Sequence, residues 1–224
     1  MKKEWSTLWS NKVYLAVWMS FLFLVLATLK LISVFLAFNE NRLEGFVLND
    51  WFLNTFEPSD VSTPLFAITW ICIFTCLPIA LRTPRKAMVV FISILVIGIL
   101  RCICLYLVPL TPPVTIIPLR DTFLEGSFYG NQVLVRDLFF SGHTANLALL
   151  TFLVDVKWIK YILAVCTLIV ATLLLKQHVH YTVDVVVAPF AAFLSYRLAK
   201  AAELYIYNKV DSMNNVNQNV VETA

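Results

Sequence analysis

Residues 87–108 have the sequence AMVVFISILVIGILRCICLYLV, an apolar run of membrane-spanning length that one charged residue, Arg101, interrupts. About 20 residues of α-helix, at roughly 1.5 Å each, cross the hydrocarbon core of a bilayer. The sequence therefore predicts an all-α polytopic membrane protein, a bundle of six transmembrane helices. The other five predicted spans are residues 13–38, 61–81, 138–154, 158–175 and 179–196.

The composition of the whole chain agrees with a membrane protein. Of the 224 residues, 60% are hydrophobic and 14% are charged, and the mean hydropathy is +0.80. These values exclude a water-soluble domain, because soluble domains are about half apolar. The net charge of +3 is small and dispersed, so no nucleic-acid partner is expected. All five cysteines fall within apolar runs and are interpreted as small buried hydrophobes.

Lys and Arg residues are divided unevenly between the two ends of the predicted spans. Both termini and the loops on their side hold eleven of the 17, and Lys30 and Arg101 lie within spans. Translocated loops are depleted in Lys and Arg, so both termini are predicted to be cytoplasmic. The four on the opposite, outer side are Arg42, Arg120, Arg136 and Lys176.

All three histidines lie in two short motifs. Residues 139–144 are Phe-Phe-Ser-Gly-His-Thr, and residues 178–185 are His-Val-His-Tyr-Thr-Val-Asp-Val. The distance along the chain from His143 to His180 corresponds to about two membrane crossings, so both are expected at the outer face. Asp184 follows His180 by four residues, which predicts that the two side chains share a helix face and form a hydrogen bond.

Two imidazoles and one carboxylate in this pattern indicate nucleophilic catalysis at phosphorus. Asp184 would orient the imidazole of His180 and stabilise its positive charge. One histidine attacks, and the other protonates the leaving alkoxide. A buried polar network that only holds helices together is the alternative interpretation, and it stays open at this point.

The two motifs also resemble those of a known family. Residues 141–144 (Ser-Gly-His-Thr) and 180–184 (His-Tyr-Thr-Val-Asp) are similar to the signature motifs of the sphingomyelin synthase family, a branch of the type-2 phosphatidic acid phosphatase superfamily. The resemblance covers residues 101–190, and the preceding residues are similar only in topology. Six spans, cytoplasmic termini and an extracytoplasmic site are the family's arrangement, in agreement with the distribution of Lys and Arg.

The resemblance implies a role for each matched residue. His180 would be the nucleophile that forms a phosphohistidine, and Asp184 would orient it. His143 would protonate the leaving group and then deprotonate the incoming acceptor. Ser141 and Gly142 match the turn beside the phosphate.

The sequence departs from the lipid phosphatases of that superfamily in its cationic residues. Those enzymes carry an Arg six residues before the nucleophilic His, where this chain has Leu174, and a Lys-to-Arg-Pro motif that is missing here. We therefore expect Arg101 and Arg136 to bind the phosphate, because a guanidinium group presents a planar fork to its oxygens. His178 and Lys176 are possible further site residues. Asp137 is expected to cap the fourth helix.

We divide the chain into three segments. Residues 1–60 hold the first span and its outer loop. Residues 61–208 form a five-span catalytic bundle with motifs at 137–144 and 178–188. Residues 209–224 are a polar, Asn-rich tail that is predicted to be disordered.

The leading hypothesis is a membrane lipid phosphotransferase with its active site on the extracytoplasmic face. It would move a phosphorylated head group from a glycerophospholipid to ceramide or diacylglycerol, with membrane lipids as its partners and no cofactor or metal. A single carboxylate in the motifs is too few for a hard cation. A lipid-phosphate phosphatase that uses the same triad with water is the alternative. A transporter or scramblase is less favoured, because the histidines are shallow and no internal repeat is present.

Overall fold

The computed structural model describes residues 5–6, 12–42, 45–119 and 134–222, and these are helical apart from the connecting loops. No strand occurs in this part of the chain, although an isolated bridge pairs Phe46 with Leu110. In chain order the helices are α1 (Lys12–Glu40), α2 (Ser62–Ala80), α3 (Pro84–Leu107), α4 (Gly142–Leu153), α5 (Lys157–Lys176) and α6 (Thr182–Glu222), with a short 3-10 helix at Leu53–Thr55.

Five helices, α1, α2, α3, α5 and α6, are long and apolar enough to cross a membrane. The first four of these begin and end within about three residues of predicted spans, because each is one apolar run with clear ends. Helix α3 illustrates this. The side chain of Thr83 accepts a hydrogen bond from the N–H of Lys86 (3.3 Å), and Pro84 occupies the first helical position, where its missing N–H costs nothing.

The fourth predicted span, residues 138–154, forms only the 12-residue helix α4. Such a helix is about 18 Å long, shorter than the roughly 30 Å hydrocarbon core, so the expected sixth span is not confirmed. The helix begins late because Ser141 caps it by accepting the N–H of Thr144 at 3.4 Å. The carbonyl of Phe140 is bonded by Arg101 instead (3.2 Å).

Helix α6 differs from the last predicted span at both ends. It begins at Thr182 rather than at position 179, and it continues to Glu222, through most of the segment predicted to be disordered. A helix that already exists extends without a new nucleation step. The three-segment division and the cytoplasmic termini stay predictions; Lys2, Lys3 and Arg120, which entered the charge count, lie outside the described residues.

Among helices α1–α6, α4 is the shortest and the most central, with α2, α3, α5 and α6 all packed around it. Small residues allow the close approach of α4 and α6: Ala145, Ala188 and Ala192 are completely buried. Helix α1 packs mainly on α3, where a side chain at Gly98 would collide with Ile32. The bundle thus holds the start of α4 beside the start of α6.

The connections fall at two ends of the bundle. At one end, Arg85 pairs with Glu203 (2.5 Å) and Lys86 pairs with Asp155. At the other end, residues 45–61 and 108–119 converge on residues 176–182, which join α5 to α6. We call residues 176–182 the corner segment, and both histidine motifs lie at this end.

Candidate active site

Asp184 is the centre of the hydrogen bonds at the start of α6. Its side chain is fully buried, and its Oδ2 accepts the N–H of Tyr181 (2.9 Å) and lies 3.2 Å from Nδ1 of His180. His180 precedes the helix, so this contact does not arise from a shared helix face. The carboxylate of the third helical residue turns back to the N–H of the residue before the helix, as the acidic residue of a capping box does. The predicted pairing is therefore present, for a different geometric reason.

Ser141 joins the two motifs. Its backbone N–H donates to the carbonyl of Asp184 at 3.1 Å, while its buried side chain caps α4. A single residue thereby fixes the start of α4 against the start of α6.

His143 lies in the first turn of α4. Its ring packs edge-on against Phe66 of α2, with the ring centroids 5.8 Å apart. Arg101 lies against Gly142, the residue before His143. The turn before His143 is also tied to the start of α6, because the N–H of Ser141 donates to Asp184, the partner of His180. The structure therefore brings the two predicted catalytic histidines and the predicted phosphate ligand of α3 into one cluster.

Arg101 lies directly against the turn before His143. Its Nε donates to the carbonyl of Phe140 (3.2 Å), and its Nη2 pairs with Asp137. A Cβ atom at Gly142 would come within 2.8 Å of the guanidinium carbon, so glycine is required here for close approach. The expectation that Asp137 caps α4 is wrong, because Ser141 caps the helix and Asp137 holds Arg101.

Arg136 is fixed through its backbone. Its N–H and that of Val135 both donate to Oε2 of Glu40 (2.9 and 3.0 Å), and its carbonyl accepts from Asn39 (3.0 Å). No residue in the described ranges pairs with its guanidinium group. The structure thus places Arg136 beside Asp137 but gives no contact between its side chain and the histidines.

His178 and Lys176 contact the loops at residues 45–61 and 108–119. The two ring nitrogens of His178 lie 2.6 Å from the hydroxyl of Thr115 and 3.0 Å from the carbonyl of Phe56. Lys176 donates to the carbonyl of Glu57 at 3.4 Å. The polar contacts of these two possible site residues are with loops rather than with the histidine cluster.

Sequence reasoning missed three residues that hold the loops to the corner segment. The hydroxyl of Tyr181 donates to the carbonyl of Thr111 (2.9 Å). Asp50 accepts from the N–H and the hydroxyl of Thr182 (2.6 and 3.0 Å). Gln177 is completely buried and forms hydrogen bonds with the start of α2 and with the carbonyl of Ile117 in the loop at residues 108–119. A polar side chain among apolar residues could have marked each of them in the sequence. Their partners could not be identified, because these lie 60 or more residues away along the chain.

An open groove with a volume of about 640 Å³ lies between the loop at residues 48–52 and the start of α6. Thr182, Val183 and Val186 form its other wall, and Trp51, at its rim, is 76% exposed. Its one ionisable lining residue is Asp50, whose two oxygens both accept hydrogen bonds. The groove is therefore mainly apolar, and no histidine is among its lining residues.

The cluster combines two imidazoles, a buried carboxylate and a guanidinium group. Within the described residues, no group of three or more His, Cys, Asp or Glu residues is placed to hold a metal ion. Imidazole, carboxylate and guanidinium groups in one place could carry out covalent and acid–base chemistry on an anionic substrate.

Residues 136–201 match the family model described as PAP2 superfamily C-terminal. The match includes both histidine motifs, and it supports the type-2 phosphatidic acid phosphatase superfamily. Members of this superfamily are phosphatases and phosphotransferases, so the match fits either activity. No curated protein matches the sequence.

Proposed function

We propose, from the match of residues 136–201 to the PAP2 superfamily, that this chain is a membrane lipid phosphotransferase of the sphingomyelin synthase kind. It would move a phosphorylated head group from a glycerophospholipid to ceramide or diacylglycerol. The observation that carries the proposal is that His180, paired with Asp184, is held to the turn before His143, and that Arg101 lies against the same turn.

His180 is the proposed nucleophile. An ionised carboxylate only accepts hydrogen bonds, so Asp184 places the imidazole proton on Nδ1 and leaves the lone pair on Nε2. Nε2 attacks the phosphorus atom of the donor lipid, and the bond from phosphorus to the diacylglycerol oxygen breaks. The head group is then held as a phosphohistidine, and Asp184 stabilises the charge on the ring.

His143 is the proposed proton carrier. It gives a proton to the departing diacylglycerol oxygen, and it later takes one from the hydroxyl group of the acceptor lipid. The acceptor oxygen displaces Nε2 of His180 from phosphorus. Both histidines thereby return to their starting states, and no further reactant is consumed.

Arg101 is the proposed phosphate ligand of the site. It lies over Gly142, next to His143, where its positive charge favours an anionic phosphoryl group and the transition state of its transfer. Ser141 positions the same turn. Arg136 is retained as a second phosphate ligand, because it directly precedes Asp137.

Two features favour a lipid acceptor over water. The groove beside the corner segment is apolar and offers no cation, which suits the hydrocarbon tail of a neutral lipid alcohol. The loop at residues 108–119 is held to the corner segment by hydrogen bonds to Gln177, His178 and Tyr181. We propose that this loop covers the site and limits the entry of water.

Product analysis tests the proposal. The purified full chain is incubated with mixed phospholipids and fluorescent ceramide, fluorescent diacylglycerol or neither. His180→Ala and His143→Ala are run beside Asn146→Ala, which removes an exposed side chain from the same helix as His143. A new fluorescent phospholipid is expected from the wild type and from Asn146→Ala, and none from His180→Ala.

Other outcomes identify other functions. Release of phosphate or head group with no fluorescent product would assign the chain to the phosphatases. Lipid movement between leaflets that His180→Ala does not alter, without labelled phosphate on the protein, would indicate a scramblase.

A further inference from the structure

The C-terminal end of α1 is tied to the segment that precedes the first histidine motif. Oε2 of Glu40 accepts the N–H groups of Val135 and Arg136 at 3.0 and 2.9 Å, and Nδ2 of Asn39 donates to the carbonyl of Arg136 at 3.0 Å. These are three hydrogen bonds between parts of the chain more than 90 residues apart. Asn39 is only 6% exposed.

This contact contrasts with the rest of α1. Only 11% of its most apolar 18 residues are buried, and its main neighbour is α3. The end of α1 is nevertheless fixed in position, because Arg42 donates to the carbonyls of Leu105 and Tyr106 at the last turn of α3 (both 3.3 Å). Carbonyls in the last turn of a helix lack partners within the helix. The two hydrogen bonds therefore stabilise the C-terminal ends of both α1 and α3.

The tied segment leads directly to the proposed phosphate site. Arg136 is followed by Asp137, which pairs with Arg101, and Arg101 lies against Gly142. We infer that Glu40 and Asn39 are positioning residues that act through residues 135–137 to hold Arg101 at the phosphate. This inference rests on the proposed function for the role of Arg101, and it assigns a part in the site to a helix outside the matched residues 136–201.

A carboxylate that accepts two adjacent N–H groups fixes both the position and the direction of the backbone. Bonds to an ionised acceptor are about twice as strong as neutral ones. Removing Glu40 leaves two N–H groups without their acceptor and allows Asp137 to move. A shift of about 1 Å in a catalytic cluster costs up to roughly a hundredfold in rate.

A mutant cycle tests the inference in the full-length protein. Glu40→Ala should lower kcat/KM for the phospholipid donor by roughly tenfold or more, mainly through KM. Glu40→Gln should restore part of this, because its amide oxygen still accepts. The control Glu57→Gln alters an exposed acidic residue of the outer loop and should match the wild type. In an Arg101→Lys background, Glu40→Ala should have little further effect, since both act on one contact.

Full additivity of Glu40→Ala and Arg101→Lys would overturn the inference, as would wild-type kinetics in Glu40→Ala. Amide hydrogen exchange of residues 137–142 provides a readout that needs no turnover. Exchange should be faster in Glu40→Ala and unchanged in Glu57→Gln, and equal protection in wild type and Glu40→Ala would overturn the inference. A wild type with no transferase or phosphatase activity would defeat the proposed function alone, while the exchange comparison still decides the positioning role.

Discussion

Replacing Gly142 by Ala places a methyl group where the guanidinium group of Arg101 lies, 2.8 Å from its central carbon. The substitution favours helix by up to about 1 kcal/mol, so the local backbone is not weakened. Arg101 must move away from the turn, and we expect kcat/KM to fall at least tenfold. Steady-state kinetics and the thermal unfolding midpoint, measured together, check this prediction.

Gly98→Ala is the matched control, because the new methyl group there meets only the flexible end of Ile32. It should retain activity close to that of the wild type. Undiminished activity in Gly142→Ala would show that the position of Arg101 does not matter for the reaction.

Individual residues also show what could be predicted of the site. His180 and Asp184 are recognisable from spacing, because their contact is local in sequence. The partner of Asp137 is not, since a carboxylate before a helix is most simply a cap, and only the fold brings it to Arg101, 36 residues away. Glu40 and Asn39 gave no signal at all, because their partners are backbone groups that any residue carries.

At the scale of elements, α5 ends in a Schellman motif whose left-handed residue is a histidine. The N–H of His178 donates to Leu175 (3.0 Å) and that of Val179 to Leu174 (3.2 Å), while His178 has φ = 58°. Glycine usually occupies this position, because a side chain costs about 1–2 kcal/mol there. The two ring contacts of His178 with Thr115 and Phe56 offset that cost.

His178→Ala should therefore destabilise the protein by about 2–4 kcal/mol, because two buried hydrogen bonds are lost at roughly 1 kcal/mol or more each. His178→Gly loses the same bonds but relieves the backbone strain, so it should be about 1 kcal/mol more stable than the Ala variant. Denaturant unfolding of both variants measures the difference. A Gly variant less stable than the Ala variant would contradict the assignment of strain to this position.

Asp50 holds the loop at residues 48–53 to the start of α6, and it makes this contact dependent on pH. Burial opposes ionisation, but hydrogen bonds from the N–H groups of Leu53 and Thr182 and from the Thr182 hydroxyl hold the pKa of Asp50 below its ordinary value of 3.8. A lowered pKa in the folded state stabilises the protein above pH 3.8, and this contribution is lost as the pH falls through the folded value. The wild type should lose thermal stability below about pH 4.

Asp50→Asn should be less stable than the wild type at neutral pH and should lose less on acidification. Thermal unfolding midpoints from neutral to acidic pH measure both effects, with Glu57→Gln as the control at an exposed acid of the same loop. If the unfolding midpoints of the wild type and Asp50→Asn fell in parallel as the pH is lowered, Asp50 would not be the source of the pH dependence.

The helices themselves were largely predictable, and the exceptions have a common cause. Apolar runs of about 20 residues fix α1, α2, α3 and α5, since length and composition suffice in a membrane. Residues 138–140 are just as apolar, but they are drawn out of the helix by the bond from Arg101 to Phe140 and by the cap at Ser141. Hydrogen bonds at Phe140 and Ser141 therefore determine where α4 begins, and a hydropathy pattern cannot predict such bonds.

At the scale of the whole molecule, one group of basic residues lies at the end of the bundle opposite the histidine cluster. Arg85 and Lys86 make ion pairs at the end far from the corner segment. Other basic residues of the described chain belong to the loops and helix termini of that end: Arg82, Lys157 and Lys160. Because positive residues are retained on the cytoplasmic side, the histidine cluster is expected to face outward.

Cysteine labelling in intact cells tests this orientation. Val114→Cys lies at the end of the histidine cluster and is 92% exposed in the wild type, whereas Lys157→Cys is exposed at the basic end. The native cysteines lie within helices. Labelling of the wild-type protein measures the background signal from these cysteines. A membrane-impermeant maleimide should label Val114→Cys in intact cells and Lys157→Cys only after permeabilisation. The reverse pattern would place the cluster on the cytoplasmic side, and the donor and acceptor lipids would then have to come from the inner leaflet.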